Sequence, residues 1–254
     1  MQTLTTEFVN DAGATLSGLL DMPDEEPIGY ALFAHCFTCG KSIAVIRNIS
    51  KQLTAEGIAL LRFDFTGLGQ SGGEFAETTF TSNTADLVAA AKFLEREYKA
   101  PAILIGHSLG GAAVLAAAEL IPSATCIATI GAPSDPVHVS HLLSDAEFGT
   151  CGIAEVNIGG RPIKIGKQFK SDLEDHDLID GISKLKRPLM VFHSPIDTVV
   201  GIEHAEKIYK AAKHPKSFVS LGKADHLVSN AEDAYFLGHV LSAWAKYYIP
   251  NSAT

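Results

Sequence analysis

The chain has 254 residues, of which 46% are hydrophobic and 19% charged, as in an ordinary globular protein with a core of useful size. Its formal net charge of −9 argues against nucleic-acid binding, because a protein that neutralises phosphates needs a surplus of lysine and arginine. The same charge gives no reason to expect binding to an anionic membrane surface.

Short apolar runs alternate along the chain with segments of helical period. A run such as 103–105 fits a strand buried on both faces, as in a parallel sheet covered by helices. Leu87, Ala90 and Leu94 recur instead at the spacing of an amphipathic helix. The predicted strands lie near 4–9, 15–21, 29–35, 58–64, 101–107, 125–131, 188–194 and 216–221. The predicted helices lie near 43–56, 82–98, 109–121, 202–213 and 231–248.

The order of these elements predicts an α/β fold. Strands that alternate with helices from residue 29 onward imply right-handed β-α-β units and a mostly parallel, eight-stranded sheet with helices on both faces. A turn at 11–13 adds an antiparallel hairpin at one edge. We expect a single domain over 1–254 with a cap-like insertion at about 134–187, which contains a small hairpin around 159–161.

The pentapeptide Gly106-His107-Ser108-Leu109-Gly110 has the GxSxG pattern of a nucleophile elbow. It follows an apolar strand and precedes a predicted helix, which is the context that the elbow requires. Glycines two before and two after the serine let strand and helix approach each other. Ser108 is therefore the predicted nucleophile. The backbone N–H of Leu109, at the helix N-terminus, is a predicted oxyanion donor.

A serine hydroxyl needs a base, and hydrolases with this elbow carry their triad in the order Ser, Asp or Glu, His. Of the ten histidines, His226 is the one on the loop directly after the last predicted strand, whereas His239 lies within the last predicted helix, so His226 is the predicted base. Asp197 follows the preceding strand and is the predicted acid that fixes the tautomer of the base. Asp225 is a rival, although adjacent residues on a turn rarely point at each other.

With these residues placed, the chain resembles the α/β-hydrolase superfamily over essentially its whole length. The blocks that carry the resemblance are 35–38, 62–71, the elbow, and the loops that hold Asp197 and His226. It looks especially like the hydrolase module of bacterial bifunctional α/β-hydrolase/OsmC-like proteins. Because the chain ends soon after its last predicted helix, we expect the module without the OsmC-like domain. The resemblance implies that the backbone of Phe37 is the second oxyanion donor, with Cys36 where glycine is usual.

Cys36 and Cys39 form a CxxC spacing on that loop. A structural explanation is favoured by its position, and the alternative is a thiol-sensitive site in which oxidation distorts the oxyanion loop. Zinc normally needs four ligands, and the sequence holds no second CxxC. No metal and no cofactor are therefore predicted.

The resemblance implies a carboxylesterase-type serine hydrolase. The small cap favours small, short-chain esters, and His107 and Phe37 are the predicted substrate-binding residues. Phe148 and Phe169 are further candidates to line an acyl pocket. Thioesterase, amidase, lactonase and carbon–carbon hydrolase activities stay open, because the same triad serves them all. A non-catalytic ligand-binding protein is the alternative from another class.

Residues 1–10 do not resemble a signal peptide, and the longest apolar runs are far shorter than the roughly 20 residues that span a bilayer. We therefore expect a cytoplasmic protein with a small-molecule ester substrate and no nucleic-acid or membrane partner. The sequence does not indicate an oligomeric state.

Overall fold

The computed structural model describes residues 1–36, 40–143, 146–158 and 161–250. The strands are β1 (Gln2–Val9), β2 (Thr15–Met22), β3 (Gly29–Ala34), β4 (Ile58–Phe63), β5 (Ile103–His107), β6 (Cys126–Ile130), β7 (Ile153–Ile158), β8 (Arg161–Gly166), β9 (Leu189–His193) and β10 (Lys216–Ser220). The helices are α1 (Ala44–Ala55), α2 (Phe80–Glu97), α3 (Leu109–Ala117), α4 (Lys167–Glu174), α5 (Leu178–Lys184), α6 (Ile202–Ala211) and α7 (Ala231–Tyr248). Short 3-10 turns cover Phe75–Glu77, Ala118–Leu120 and Pro136–Leu143.

Eight of these strands form one sheet in the order β1-β2-β4-β3-β5-β6-β9-β10. β1 pairs with β2, and β2 with β4, in antiparallel register, while all the other neighbours in this sheet are parallel. The β1–β2 turn is closed by Asn10, whose side-chain oxygen accepts the N–H groups of Ala12 and Ala14. The predicted fold class is confirmed.

Two apolar cores lie on the two faces of the sheet. Leu32, Leu61 and Leu104 point to the face covered by α2, α3, α5 and α6. Their neighbours Phe33 and Ile105 point to the other face, which α1 and α7 cover. Successive strand residues are thus buried on opposite sides, which explains why the central strands are almost uniformly apolar.

Two helices between β6 and β9, α4 and α5, were not predicted from the sequence. Both are short, so neither shows enough turns of apolar periodicity to be recognised. α5 begins after Asp177, whose side chain accepts the N–H of Asp180, and it packs against α3 and α6. Part of the predicted 134–187 insertion therefore belongs to the helical layer beside the sheet.

The hairpin predicted in this segment is present as β7 and β8, with Ala154 opposite Ile165. The tip at 159–160 lies outside the described residues. Below the hairpin, Gln168 Nε2 donates to the Ala76 carbonyl over 2.6 Å, and the rings of Phe75 and Phe169 lie 5.6 Å apart. Within the described ranges, no helix has the length and apolar character needed to cross a membrane.

Candidate active site

Ser108 sits at a sharp turn between β5 and α3, with φ 55° and ψ −128°. A positive φ is uncommon for a residue with a side chain, and it projects the serine from the carboxyl edge of the sheet. The turn leaves no room for a side chain at Gly106 or Gly110, the two glycines that flank it. A Cβ on Gly106 would lie 2.3 Å from the Gly110 oxygen, and one on Gly110 would lie 2.4 Å from the Ala34 oxygen.

Three side chains from three separate loops meet at this turn. Ser108 Oγ lies 2.9 Å from His226 Nε2, and His226 Nδ1 lies 2.7 Å from Asp197 Oδ2. Asp197 follows β9 and His226 follows β10, so adjacent parallel strands deliver both loops to the same edge of the sheet. The arrangement is that of a nucleophile, a base and a carboxylate that orients the base.

The carboxylate of Asp197 is held on both of its oxygens. Oδ1 accepts the N–H groups of Val199 and Val200 over 2.8 and 2.9 Å, and Oδ2 faces His226. Burial acts to raise the pKa of Asp197, but the bonds from His226 and these N–H groups outweigh it and hold the pKa below 3.8. The charged form is therefore favoured, as an acid that stabilises an imidazolium requires.

The rival carboxylate, Asp225, is exposed. Its Oδ1 accepts the N–H of Ser229 over 2.8 Å, so the side chain caps its own loop and does not meet the ring of His226. The structure thus separates two acidic residues that the sequence places at comparable positions relative to the histidine.

His107 was predicted to bind substrate, but the structure places it behind the base. Its ring is 1% exposed, and its Nε2 lies 2.7 Å from the backbone oxygen of His226. Burial, followed by the nearby His226, lowers the pKa of His107 to about 4, so the ring is neutral. A buried neutral ring donating to that carbonyl supports the loop of His226 and presents no surface to a substrate.

Leu109 is the first residue of α3, so its N–H has no acceptor within the helix. This N–H directly follows Ser108 and lies at the helix N-terminus, which carries a partial positive charge that stabilises an anion. The predicted second donor, Phe37, lies outside the described residues, as does Cys39. Cys36 is buried and disulfide-bonded, whereas Cys126 and Cys151 are free. The hypothesis of a thiol-sensitive site stays a prediction.

A buried ion pair anchors the far end of the loop that follows β3. Lys41 Nζ contacts Asp64 Oδ2 at 2.5 Å, and the Lys41 N–H donates to Asp64 Oδ1 at 2.8 Å. Burial acts to raise the pKa of Asp64, but hydrogen bonds from Lys41 and the Gln70 N–H outweigh it and keep the pKa below 3.8. Arg62, paired with Asp21, also donates to the Lys41 carbonyl. Sequence reasoning missed this network, although a charged residue inside the apolar run of β4 was a signal for it.

A small cavity lies behind Leu109 and Gly110. Two of its lining residues are buried, His35 at 1% and Asn83 at 6% exposure. In the described part of the chain, His35 Nε2 and Asn83 Oδ1 have no hydrogen-bond partner. His35 Nδ1 lies 2.7 Å from the Cys36 carbonyl, so Nδ1 carries the proton and Nε2 is an acceptor. The cavity volume of about 10 Å³ is comparable to that of one water.

The two further candidates for an acyl pocket, Phe148 and Phe169, differ in exposure, and their role stays a prediction. Phe169 is fully buried in the core, where its ring lies 5.6 Å from that of Phe75, while Phe148 is partly exposed. Among the residues that the structure describes, no group of three or more histidine, cysteine, aspartate or glutamate side chains could hold a metal ion.

An eight-stranded sheet of this order, with a serine elbow after its fifth strand in sequence, defines an α/β hydrolase. The esterase domain of a Rhodothermus marinus protein is 53% identical to the chain, covers 98% of it and 100% of that domain, and superposes with a TM-score of 0.85. The chain therefore belongs to the α/β-hydrolase superfamily of serine hydrolases. The family model described as serine aminopeptidase, S33, matches residues 28–140.

More distant relatives agree with this assignment. Est1E from Butyrivibrio proteoclasticus, solved with ferulic acid, shares the fold at a TM-score of 0.80 and 20% identity, covering 96% of this chain and 99% of its own. The mitochondrial palmitoyl-protein thioesterase ABHD10 of Rattus norvegicus is 27% identical over 212 residues, which cover 78% of this chain and 68% of the relative.

Proposed function

We propose that the chain hydrolyses small, short-chain carboxylic esters through an acyl-enzyme on Ser108. The observation that carries the proposal is the chain of contacts from Ser108 Oγ to His226 Nε2, at 2.9 Å, and from His226 Nδ1 to Asp197, at 2.7 Å. The 53% identity to an esterase domain supports ester hydrolysis over other acyl transfers.

In the first half of the reaction, Ser108 Oγ attacks the ester carbonyl while His226 Nε2 takes the hydroxyl proton. Asp197 accepts the hydrogen bond from Nδ1 and stabilises the resulting imidazolium. As the tetrahedral intermediate collapses, His226 gives the proton to the leaving alcohol oxygen, and the acyl group stays on Ser108.

In the second half, a water molecule attacks the acyl carbon with His226 again acting as the base. Collapse of this intermediate returns the proton to Ser108 Oγ and releases the carboxylic acid. The Leu109 N–H is the proposed donor to the oxyanion in both halves, and the Phe37 N–H, on the strength of the resemblance, is the second. Losing one such donor costs about 10²–10³ in turnover.

A thioesterase is the second candidate, and the similarity to a palmitoyl-protein thioesterase favours it. The two functions differ in the leaving group, so they can be compared with one acyl group. A higher kcat/KM for p-nitrophenyl butyrate than for a butyryl thioester of matched size supports the esterase. The opposite ranking favours the thioesterase.

The test of the main proposal is hydrolysis of p-nitrophenyl esters from acetate to decanoate by wild type, Ser108→Ala and the control Ser183→Ala. Ser183 lies on α5 and donates to the Asp180 carbonyl, away from the elbow. We expect turnover that is greatest for short acyl chains, retained in the control and lost in Ser108→Ala.

A fluorophosphonate probe, which reacts with activated serines, separates the remaining outcomes. Labelling of wild type but not of Ser108→Ala, without turnover of any ester, means that the serine is activated and the ester class is wrong. If the wild type shows no labelling and no turnover, the result contradicts an enzymatic function and favours the ligand-binding alternative.

A further inference from the structure

His193 is the last residue of β9, and its side chain contacts the loop 194–200, called the acid loop below because it carries Asp197. The ring is fully buried, and its Nε2 lies 2.8 Å from the carbonyl oxygen of Val200. A carbonyl oxygen can only accept, so Nε2 carries a proton and donates it to Val200. The other ring nitrogen, Nδ1, has no hydrogen-bond partner in the described part of the chain.

Val200 is one of the two residues that hold the carboxylate of Asp197. Its N–H donates to Asp197 Oδ1 over 2.9 Å, beside the N–H of Val199 at 2.8 Å. The N–H of Val200 thus binds the acid, while its carbonyl is bound by His193. Val200 is 2% exposed, so loss of the donor from His193 would leave this buried carbonyl to find another partner. The conformation of the acid loop therefore depends on the ring of His193.

His193 also lies near Asp197 itself, but it is too far away to bond it directly. Its Nε2 is 3.8 Å from Asp197 Oδ2, beyond the range of about 2.7–3.2 Å for an N–H···O hydrogen bond. Asp197 Oδ2 instead faces His226 Nδ1 at 2.7 Å. The ring of His193 thus leaves this oxygen to the base and acts on the acid through Val200.

The backbone of His193 contacts the loop that carries the base. Its carbonyl accepts the N–H of Leu221 over 2.9 Å, and the carbonyl of Leu221 accepts the N–H of Ala224, two residues before His226, over 3.0 Å. One residue therefore binds the acid loop with its side chain and the loop of the base with its carbonyl. A substitution of His193 removes the first contact and can keep the second, because the second is made by the backbone.

A second buried histidine has the same relation to the base. His107 is the last residue of β5, and its Nε2 lies 2.7 Å from the carbonyl oxygen of His226. Its Nδ1, like that of His193, has no hydrogen-bond partner among the described residues. In both cases a strand ends in a buried ring whose Nε2 faces a backbone carbonyl of a triad loop. The repeated arrangement indicates that the two rings set the positions of these loops.

We propose that His193 is a positioning residue of the triad: through the Val200 carbonyl it fixes the acid loop and so orients the carboxylate of Asp197 toward His226 Nδ1. The proposal rests on the acyl-enzyme chemistry proposed above and adds a residue that acts on it without contacting substrate. A displaced carboxylate tilts the imidazole away from Ser108, and a misplacement of about 1 Å can lower the rate about 10²-fold. The loss should appear in kcat, because the acid stabilises the imidazolium of the transition state.

The test compares His193→Gln with His193→Met, two side chains of similar length that differ in the donor. The glutamine amide can reach the Val200 carbonyl, so kcat for p-nitrophenyl acetate should stay within about threefold of wild type. Methionine has no N–H, so kcat should fall about 10–100-fold while KM changes less than about threefold. The control is Arg187→Met, at the opposite end of β9, which removes a donor to the Ile121 carbonyl and should stay within about threefold.

A double-mutant cycle with Asp197→Asn separates positioning of the acid from a purely structural role. If His193 acts through the acid, His193→Met should lower kcat by less than about threefold in the Asp197→Asn background. The same 10–100-fold loss in both backgrounds would overturn the proposal, as would equal kcat values for the glutamine and methionine variants. His193→Asn, whose amide is too short to reach Val200, replaces the methionine variant if that variant does not fold.

The rate at which the fluorophosphonate probe labels Ser108 repeats the comparison without an ester. Labelling should slow in His193→Met and keep its wild-type rate in His193→Gln, and equal rates in the two variants would overturn the role of His193. If the wild type is labelled but hydrolyses no ester, the proposed ester hydrolysis fails while the labelling rates still decide the role of His193. Absence of both labelling and turnover in the wild type would overturn both proposals.

Discussion

Replacing Asp197 by asparagine changes one atom in the proposed triad and leaves the rest of its geometry in place. In the wild type, Oδ1 accepts two N–H groups, from Val199 and Val200, and Oδ2 faces His226 Nδ1. The two N–H groups require an acceptor, so the oxygen of the new amide stays with them and its NH₂ group turns toward His226. His226 Nδ1 must then accept a hydrogen bond, which places the ring proton on Nε2.

A base with its proton already on Nε2 cannot take the proton of Ser108. In an analogous triad the same substitution lowers turnover about 10⁴-fold, or about 5.4 kcal/mol at 1.36 kcal/mol per factor of ten. We expect a loss of this size in kcat, with little change in thermal stability because both N–H bonds of the loop are kept.

The assay is p-nitrophenyl acetate turnover by Asp197→Asn and by Asp225→Asn, with the Tm of each variant. Asp225 makes its hydrogen bond to Ser229 and none to the ring of His226, so its variant should stay within about threefold of wild type. An Asp197→Asn enzyme that keeps more than about a tenth of its turnover would refute the tautomer argument, as would an equal loss in both variants.

Three further substitutions test the supports of the site, and a fourth, Gly181→Ala, is the control for Gly110→Ala. Gly110→Ala should lower the Tm, because its Cβ would lie 2.4 Å from the Ala34 oxygen. A Cβ on Gly181 in α5 would meet nothing within 4 Å, so Gly181→Ala should raise the free energy of unfolding by about 0.5–1 kcal/mol. Lys41→Met leaves the buried carboxylate of Asp64 without its cation, so it should lower the free energy of unfolding in urea by about 3–5 kcal/mol. A decrease of less than about 1 kcal/mol would contradict the buried ion pair. The pKa of His107 is about 4 when folded and 6.5 when unfolded, so between these pH values the unfolded state binds more protons. Stability should therefore fall by about 3 kcal/mol as the pH drops through this window, and His107→Gln should flatten that dependence in urea titrations.

The sheet and its main helices were predictable because their signals are local. Buried parallel strands need unbroken apolar runs, and amphipathic helices need a period of 3.6 residues, so both patterns are written into short stretches of sequence. α4 and α5 escaped prediction because their short lengths carry little periodicity, and their helical state depends on packing against distant segments such as α3 and α6.

The buried charges were unpredictable for a similar reason. Lys41 and Asp64 are 23 residues apart, and Arg62 and Asp21 are 41 apart, so no spacing in the sequence indicates that they pair. A buried lysine is stable only beside its carboxylate, and the fold alone decides which carboxylate that is.

By itself the sequence determined the types of residue at the elbow and the order of serine, aspartate and histidine along the chain, because a sharp strand–helix turn permits only small neighbours around Ser108. Only the tertiary structure decided which acid meets His226, since that contact joins loops from different strands. It also turned His107 toward the loop of the base, although its neighbour in the chain is the nucleophile. Contacts between distant segments depend on how the strands are ordered in space, and local sequence patterns do not encode that order.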